Sequence, residues 1–251
     1  MNSVQKSVLR SVLRYGRDLK RRKGVLWLQK FPEIQEFQTT AIGSSLTDLK
    51  RFISTFPEAM QEYLTLNIPS RELNGDDFLW IVRRGFRTNP LRTSASALGD
   101  TMDCMRLVND QARLMQSTSM KISNDVRVVA TAVYDKRQDS QLQQIHDEAG
   151  HSFYYRIMLE NHSSDAVQLV GRHWIFKSNG TETEVPKFSR GVIGVEPIIK
   201  PGQNFQYMSM ANLEADRGVM AGAFLMKTEA TGSPFEVEVA PCALDPDVFI
   251  A

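Results

Sequence analysis

The spacing of apolar residues along the chain changes near residue 118. Before that point apolar residues recur every three or four positions, which predicts helices. After it, short runs of β-branched and aromatic residues alternate with turn residues, which predicts strands. Residues 119–124 between the two halves are polar and predict a linker. We therefore expect an α+β chain of two domains, an N-terminal helical bundle at 1–118 and an antiparallel β-sandwich at 125–251.

The first helix is predicted over residues 3–23 and is amphipathic. A row of basic residues runs beside its apolar face at steps of three or four: Lys6, Arg10, Arg14, Arg17 and Arg21. Further helical segments are predicted at 45–66, 76–87 and 94–117. On residue type alone, the basic row is as typical of a solvated helix face as of a surface that binds a membrane or an acidic protein.

The second half predicts seven strands separated by turn residues such as Ser178-Asn-Gly180 and Lys200-Pro-Gly202. The predicted strands are 126–134, 152–160, 166–177, 182–185, 204–210, 219–227 and 234–239. Seven short strands without helical periodicity indicate a sandwich of the immunoglobulin or fibronectin type III kind.

Charge is divided unequally between the two halves, although the 251-residue chain has a net charge of only +1. Residues 1–119 carry 18 basic and 12 acidic residues, whereas residues 120–251 carry 12 and 17. A hydrophobic content of 42% excludes a disordered chain. Two distant cysteines, Cys104 and Cys242, exclude a disulfide scaffold, and no apolar run reaches the roughly 20 residues of a membrane span.

Two segments of the first half carry a family resemblance. Residues 8–19, Val-Leu-Arg-Ser-Val-Leu-Arg-Tyr-Gly-Arg-Asp-Leu, resemble the first helix of the mitochondrial Leu-Tyr-Arg (LYR) family. Residues 81–89, Ile-Val-Arg-Arg-Gly-Phe-Arg-Thr-Asn, resemble that family's basic helix, which ends in Phe-Arg-x-Asn. The resemblance implies a three-helix bundle, here with residues 24–76 as an insertion.

The LYR resemblance also implies a partner, an acyl carrier protein whose acyl-4'-phosphopantetheine enters the bundle core. The docking residues that it implies are Arg10, Arg14, Arg17, Arg83 and Arg87. The residues implied to line the acyl tunnel are Val8, Val12, Phe86, Met102 and Met105. Acyl carrier proteins are acidic, so a basic row would attract one. The methionines are equally typical of an ordinary core, and both interpretations stay open.

Motifs of the second half resemble the ApaG family in order and spacing. They include Gln168-Leu-Val-Gly-Arg-His-Trp-Ile175, Gly191-Val-Ile-Gly-Val-Glu-Pro197, Phe205-Gln-Tyr-Met-Ser209 and Gly218-Val-Met-Ala-Gly222. The resemblance implies a fibronectin-like sandwich that binds partners and to which no enzymatic activity is firmly attached. Bacterial relatives carry a glycine run for which pyrophosphate binding has been suggested. Here the corresponding anion site would consist of Arg172, Arg190, Gly191 and Gly194. The alternative is that the two glycines serve a bulge or a tight loop with unusual backbone angles.

The functional prediction is a non-enzymatic adaptor of the mitochondrial matrix. It has no cofactor of its own and binds an acylated acyl carrier protein through the helical domain. The sandwich is expected to bind a large assembly, a mitochondrial ribosome or a respiratory complex, so that the protein acts as an accessory subunit or assembly factor. Two alternatives remain, a small-molecule or pyrophosphate-binding protein that uses the glycine loop, and a ribosomal protein whose basic half contacts RNA.

Overall fold

The computed structural model describes residues 3–21, 25–27, 41–43, 61, 72–87, 106, 109–136 and 150–250. The chain divides into two compact units, residues 1–31 with 48–112 and residues 32–47 with 113–251. The two long helices among the described residues are α1 (Ser3–Arg21) and α2 (Gly75–Arg87). The strands are β1 (Val25–Trp27), β2 (Ala41–Gly43), β3 (Glu72–Asn74), β4 (Thr118–Ser123), β5 (Val126–Asp135), β6 (His151–Asn161), β7 (Val167–Ser178), β8 (Thr181–Arg190), β9 (Ile198–Ile199), β10 (Asn204–Leu213), β11 (Gly218–Thr228), β12 (Pro234–Leu244) and β13 (Phe249–Ile250).

In the first unit, α1 packs closely against α2. Val12 on the apolar face of α1 is fully buried. Gly16, one turn further on, is also buried, and a Cβ there would lie 2.8 Å from the side chains of Phe78 and Leu79. The Tyr15 and Phe78 rings meet edge to face, with centroids 5.7 Å apart. The glycine therefore allows the two helices to approach each other.

A reciprocal cap starts α2. The Asn74 side chain accepts hydrogen bonds from the backbone N–H groups of Asp76 and Asp77, at 2.8 and 3.0 Å. The Asp77 carboxylate in turn accepts the N–H of Asn74 at 3.1 Å. This capping box satisfies N–H groups that the first helical turn leaves unpaired, and it places two carboxylates at the positive end of the helix. The helix predicted at 76–87 is thus confirmed, and it begins one residue earlier.

The other predicted helices lie largely outside the described residues. Only residue 61 of the segment 45–66 is described. Of the segment 94–117, residues 106 and 109–114 are helical, and Met115–Ser117 form a 3-10 turn. The described first unit is therefore a helix pair with a short antiparallel strand pair, in which Val25 faces Asn74, and the three-helix bundle stays a prediction.

The second unit is an antiparallel β-sandwich, as the sequence predicts. One sheet has the strand order β13-β5-β6-β10-β2, with β4 also pairing with β5. The other has the order β12-β11-β7-β8, with β9 pairing with β7. All seven predicted strands are present as β5, β6, β7, β8, β10, β11 and β12.

The core lies between the two sheets and consists of alternate residues of their strands. Trp174 on β7 lies at the centre of this core. The centroid of its ring is 5.5 Å from that of Phe224 and 5.6 Å from that of Tyr155. In addition, β5 and β6 are buried at almost every position, so Val129 and Val133 on the other face of β5 are also inaccessible. A strand that is buried on both faces has a nearly continuous run of apolar residues, and the sequence has such a run at residues 126–134.

The expected linker at 119–124 is wrong, because residues 118–123 form β4. This strand pairs antiparallel with β5 through a tight turn in which Asn124 and Asp125 have positive φ angles of 50° and 57°. Its polar side chains bind the neighbouring strand β12, since Ser119 Oγ donates to the carbonyl of Ala240 at 2.7 Å. Polarity here reflects side-chain bonds to a strand edge rather than solvent exposure.

Part of the segment assigned to an insertion, 24–76, also belongs to the sandwich. Residues 41–43 form β2, which pairs with β10 and places Ile42 opposite Phe205. Three residues carry too little periodicity to predict a strand, so the sequence gives no signal for this contribution.

Candidate functional site

The basic row on α1 is exposed along its whole length. Lys6, Arg10, Arg14, Arg17 and Arg21 all lie at the surface, whereas Val12 faces inward. At a rise of 1.5 Å per residue, the row extends over about 22 Å. The predicted docking residues on α1 therefore form one continuous positive surface.

The cations of this row differ in what they already contact. Arg21 pairs with Asp18, and Arg17 Nε donates to the backbone carbonyl of Leu13 at 3.1 Å. In the described part of the chain, Lys6, Arg10 and Arg14 form no ion pair with an acidic side chain. The first half of α1 thus presents the cations that are available to a partner.

The remaining residues of the predicted carrier site are only partly described. Arg83 on α2 is exposed. Val12 is buried, consistent with either a tunnel wall or a simple core position. The side chains of Val8, Phe86 and Arg87, and the whole of Met102 and Met105, lie outside the described residues. The structure therefore describes the predicted basic surface in part and the predicted acyl tunnel at one residue.

The glycine segment of the sandwich is a tight hairpin rather than a phosphate cradle before a helix. Val192 and Val195 exchange both backbone hydrogen bonds at 2.9 Å. The two residues between them, Ile193 and Gly194, have φ angles of 42° and 82°. Gly191, with φ of 61°, approaches the carbonyl of Val195 so closely that a Cβ would lie 2.6 Å from its oxygen. The backbone conformation of the loop therefore requires glycine at position 191.

The two arginines of the predicted anion site are engaged by the protein itself. The Arg172 guanidinium donates to the carbonyls of Gly191 and Arg190, at 2.6 and 3.2 Å. Arg190 pairs with Glu196 on the other arm of the loop. The structure brings Arg172, Arg190 and Gly191 together, and the contacts of the two guanidinium groups hold the loop in shape.

The approach to this loop contains a second unusual backbone position. Phe188, near the end of β8, has φ of 56°, and Gly171 on β7 lies against it, since a Cβ at Gly171 would be 3.1 Å from the Phe188 carbonyl oxygen. A bulky residue in the left-handed region is strained. Sequence reasoning missed both Phe188 and Ile193 as features, because a positive φ at a non-glycine residue leaves no residue-type signal.

A buried polar cluster lies between the sheets near Arg172. Burial raises the pKa of Tyr155, and it raises that of Tyr207 further, with Tyr155 itself adding to the effect on Tyr207. Arg172 and nearby hydrogen-bond donors partly oppose both shifts. The nearby Trp174 Nε1 also lowers the pKa of Tyr207. Neither Trp174 Nε1 nor the Tyr207 hydroxyl makes a hydrogen bond of good geometry within the described residues. Both phenols therefore stay protonated at neutral pH.

The thiol of Cys242 is inert by the same physics. Burial raises its pKa to about 12, and Sγ lies 3.3 Å from the carbonyl oxygen of Ser117. Nucleophilic cysteines have lowered rather than raised pKa values. Cys104 lies outside the described residues.

We expect alkaline pH to destabilise the sandwich through Cys242. Between about pH 9 and pH 12 an unfolded thiol loses its proton while the folded thiol keeps it, so the free energy of unfolding falls by up to about 1.4 kcal/mol per pH unit from this group. Urea unfolding of the natural chain and of Cys242→Ala at mildly and strongly alkaline pH measures the difference. The stability loss on raising the pH should be smaller in the variant, since Tyr155 and Tyr207 contribute equally to both proteins. Equal losses would contradict the assignment.

No group of three His, Cys, Asp or Glu side chains is arranged to hold a metal ion in the parts of the chain that the structure describes. Among the same residues, no helix has both the length and the apolar character of a membrane span.

Comparison with known proteins gives consistent results for the sandwich. A profile of the ApaG domain matches residues 141–228. The ApaG protein of Beijerinckia indica is 35% identical over 126 residues, which are 49% of this chain and 90% of that protein. The ApaG protein of Escherichia coli is 38% identical over 115 residues, 45% of this chain and 86% of that protein.

A solved structure gives a similar correspondence in sequence. The putative ApaA protein of Bordetella pertussis is 32% identical and matches 48% of this chain and 93% of that one, with a TM-score of 0.43. The assignment rests on the identities to the ApaG proteins of Beijerinckia indica and Escherichia coli and on the nearly complete coverage of those two proteins. Through its C-terminal half, this chain belongs to the ApaG family.

Proposed function

We propose that this protein is a non-enzymatic adaptor of the mitochondrial matrix. It binds an acylated acyl carrier protein through α1 and α2, and its ApaG-family sandwich binds a large assembly, a ribosome or a respiratory complex, as an accessory subunit or assembly factor. The observation that carries the proposal is the exposed basic row of α1, whose cations Lys6, Arg10 and Arg14 form no ion pair within the described residues.

The charge of the row supports an acidic protein as the partner. Five cations at steps of three or four over about 22 Å match one acidic helix of comparable length. Asp18 is the only acidic residue of α1, and it is paired with Arg21. A surface whose charges have one sign increases the association rate with a partner of opposite charge, and that rate falls as the salt concentration rises.

The packing behind the row supports a rigid docking helix. Val12 is buried, and Gly16 contacts Phe78 and Leu79 of α2, so the apolar face of α1 is fixed while its basic face is outward. Lys20 pairs with Asp76 at 2.7 Å at the start of α2. A helix held in this way loses little conformational freedom on binding.

The carrier site is tested by reversing charge in the row. The Arg14→Glu substitution should raise the dissociation constant for an acyl-loaded acyl carrier protein at least tenfold, because an attraction at the centre of the row becomes a repulsion. Isothermal titration of the full chain with carrier protein bearing a medium-length acyl group on its 4'-phosphopantetheine gives the constant. The helix should be intact by circular dichroism, since Arg14 is exposed.

A matched control makes the same charge change on the sandwich. Lys177 is 63% exposed, and its ion pair with Glu182 is at the surface, so Lys177→Glu should leave carrier binding unchanged. Failure of the natural chain to bind the carrier would overturn the proposal. So would equal losses for Arg14→Glu and Lys177→Glu. Steep salt dependence of RNA binding without carrier binding would instead support the ribosomal alternative.

A further inference from the structure

We infer that the loop of residues 191–198 is a docking surface for a protein segment that carries one apolar anchor residue flanked by acidic residues. This inference rests on the proposed adaptor role of the sandwich and states where, and to what chemistry, it binds. It is independent of whether α1 binds an acyl carrier protein.

Ile193 is the first reason. Its φ of 42° lies in the left-handed region, which a β-branched side chain rarely adopts and which glycine or asparagine would occupy at little cost. The side chain is 46% exposed, so burial within this chain does not repay the strain. Both local conformation and solvation therefore disfavour isoleucine here in the isolated protein, which is the pattern of a residue placed for binding.

Two further apolar side chains of the same loop are exposed. Val195 and Ile198 are 38% and 42% exposed. Their neighbours Val192 and Ile199 are fully buried in the sandwich core. The loop therefore alternates between residues that anchor it and residues that it presents outward.

The loop is held in one conformation before any partner arrives. Arg172 donates to the carbonyls of Gly191 and Arg190, and Gln168 Nε2 donates to the carbonyl of Glu196 at 3.2 Å. Gly191 permits the close approach of Val195. Such pre-organisation lowers the entropy cost of binding at this surface.

The charge around the loop indicates the sign of the partner. The loop, the two arginines that contact it and the residue that follows Ile199 include three cations, Arg172, Arg190 and Lys200, and one acidic residue, Glu196. The local balance of +2 contrasts with the net charge of −5 for residues 120–251. Arg190 is 87% exposed, and an exposed pair such as Arg190–Glu196 is weak enough to exchange partners. An acidic segment therefore fits better here than elsewhere on the sandwich.

A small inorganic anion fits less well than an apolar, acidic segment. The guanidinium of Arg172 is turned to backbone carbonyls, and Ile193 is the one side chain other than glycine between the paired Val192 and Val195. An apolar tip removes a partner's apolar side chain from water, and this burial is the main favourable contribution to such a contact.

The test compares the natural chain with Ile193→Gly. The probe is a pool of short labelled peptides that each carry one central Leu, Phe or Trp among Asp, Glu, Gly and Ser. Fluorescence anisotropy with the full chain should show binding that Ile193→Gly weakens at least tenfold. The same variant should unfold at a higher denaturant concentration than the natural chain, because glycine relieves the strained φ. A purely structural role of Ile193 predicts the opposite shift.

Two controls define what would overturn the inference. Val219 on β11 is 40% exposed, and Val219→Ser should leave peptide binding unchanged. A pool in which Lys replaces Asp and Glu should bind at least tenfold more weakly. The inference fails if the natural chain does not bind the acidic pool, if both pools bind equally, or if Ile193→Gly binds normally or unfolds more easily. Titration with acyl carrier protein on the same samples reports separately on the site on α1.

Discussion

Trp174→Ala is expected to destabilise the sandwich by about 3–5 kcal/mol, a large share of the roughly 5–15 kcal/mol that stabilises an ordinary domain. The side chain is 1% exposed and lies between the two sheets, where it contacts Phe224 edge to face and Tyr155 at 5.6 Å. Alanine would leave a cavity lined by these rings, and strands β6, β7 and β11 cannot close around it without breaking their pairing. The free energy lost by no longer burying the indole and the cost of the empty cavity therefore add together.

Urea unfolding followed by far-UV circular dichroism measures this effect without using the tryptophan that is removed. Val219→Ala on β11 provides the control, since its side chain is 40% exposed and its loss should cost well below 1 kcal/mol. A loss below about 1.5 kcal/mol for Trp174→Ala would mean that the core is not packed around the indole. Soluble protein that retains its β-sheet signal but unfolds earlier would confirm the prediction.

The strands of the sandwich were predictable because their chemistry is repeated along the chain. The predicted strand 204–210 is found as Asn204–Leu213, with Phe205 and Tyr207 turned into the core. Turn residues between runs supplied the boundaries, as at Gly180, which has a positive φ of 79°. Where alternation and turn chemistry agree, local signals specify the fold.

Strand β4 shows why a polar segment misleads. Ser119 and Lys121 look like linker residues, but the first bonds to the carbonyl of Ala240 and the second pairs with Glu238 of β12. Their partners lie more than a hundred residues away, and no local pattern reveals a long-range pairing. The same reasoning applies to β2, whose three residues are strand only because β10 has an unpaired edge there.

The candidate surfaces were predictable to different degrees. The basic row on α1 follows from helical spacing alone, and the structure places all five cations at the surface. The glycine loop was recognised from its residues, and its glycines indicated either an anion site or a tight loop with unusual backbone angles. The backbone shows the tight loop, and the exposed, strained Ile193 at its tip was not foreseen. Residue type indicates which chemistry a side chain is capable of. Only the structure shows which of its donors already have hydrogen-bond partners, as for the Arg172 guanidinium.

Gly222→Ala is expected to destabilise the sandwich by about 3 kcal/mol or more, although only one methyl group is added. Gly222 lies in β11 beside a bulge and pairs with Trp174 on one side and Val239 on the other. A Cβ at this position would overlap the carbonyl oxygen of His173 and lie 3.0 Å from Trp174 Cε3. The overlap is with backbone, which cannot rotate away as a side chain can, so β7 must move relative to β11 and disturb the packing of the indole.

Gly232→Ala separates this steric effect from the general effect of losing a glycine. Gly232 has φ of 69°, and no atom lies within 4 Å of a Cβ built there, so alanine should cost only the roughly 1–2 kcal/mol of a left-handed conformation. Urea midpoints of both variants against the natural chain give the comparison. Gly222→Ala should be the more damaging although its backbone conformation is open to alanine, because the cost comes from the close approach of β7. Equal effects, or a larger loss for Gly232→Ala, would show that the two strands are not in van der Waals contact at Gly222.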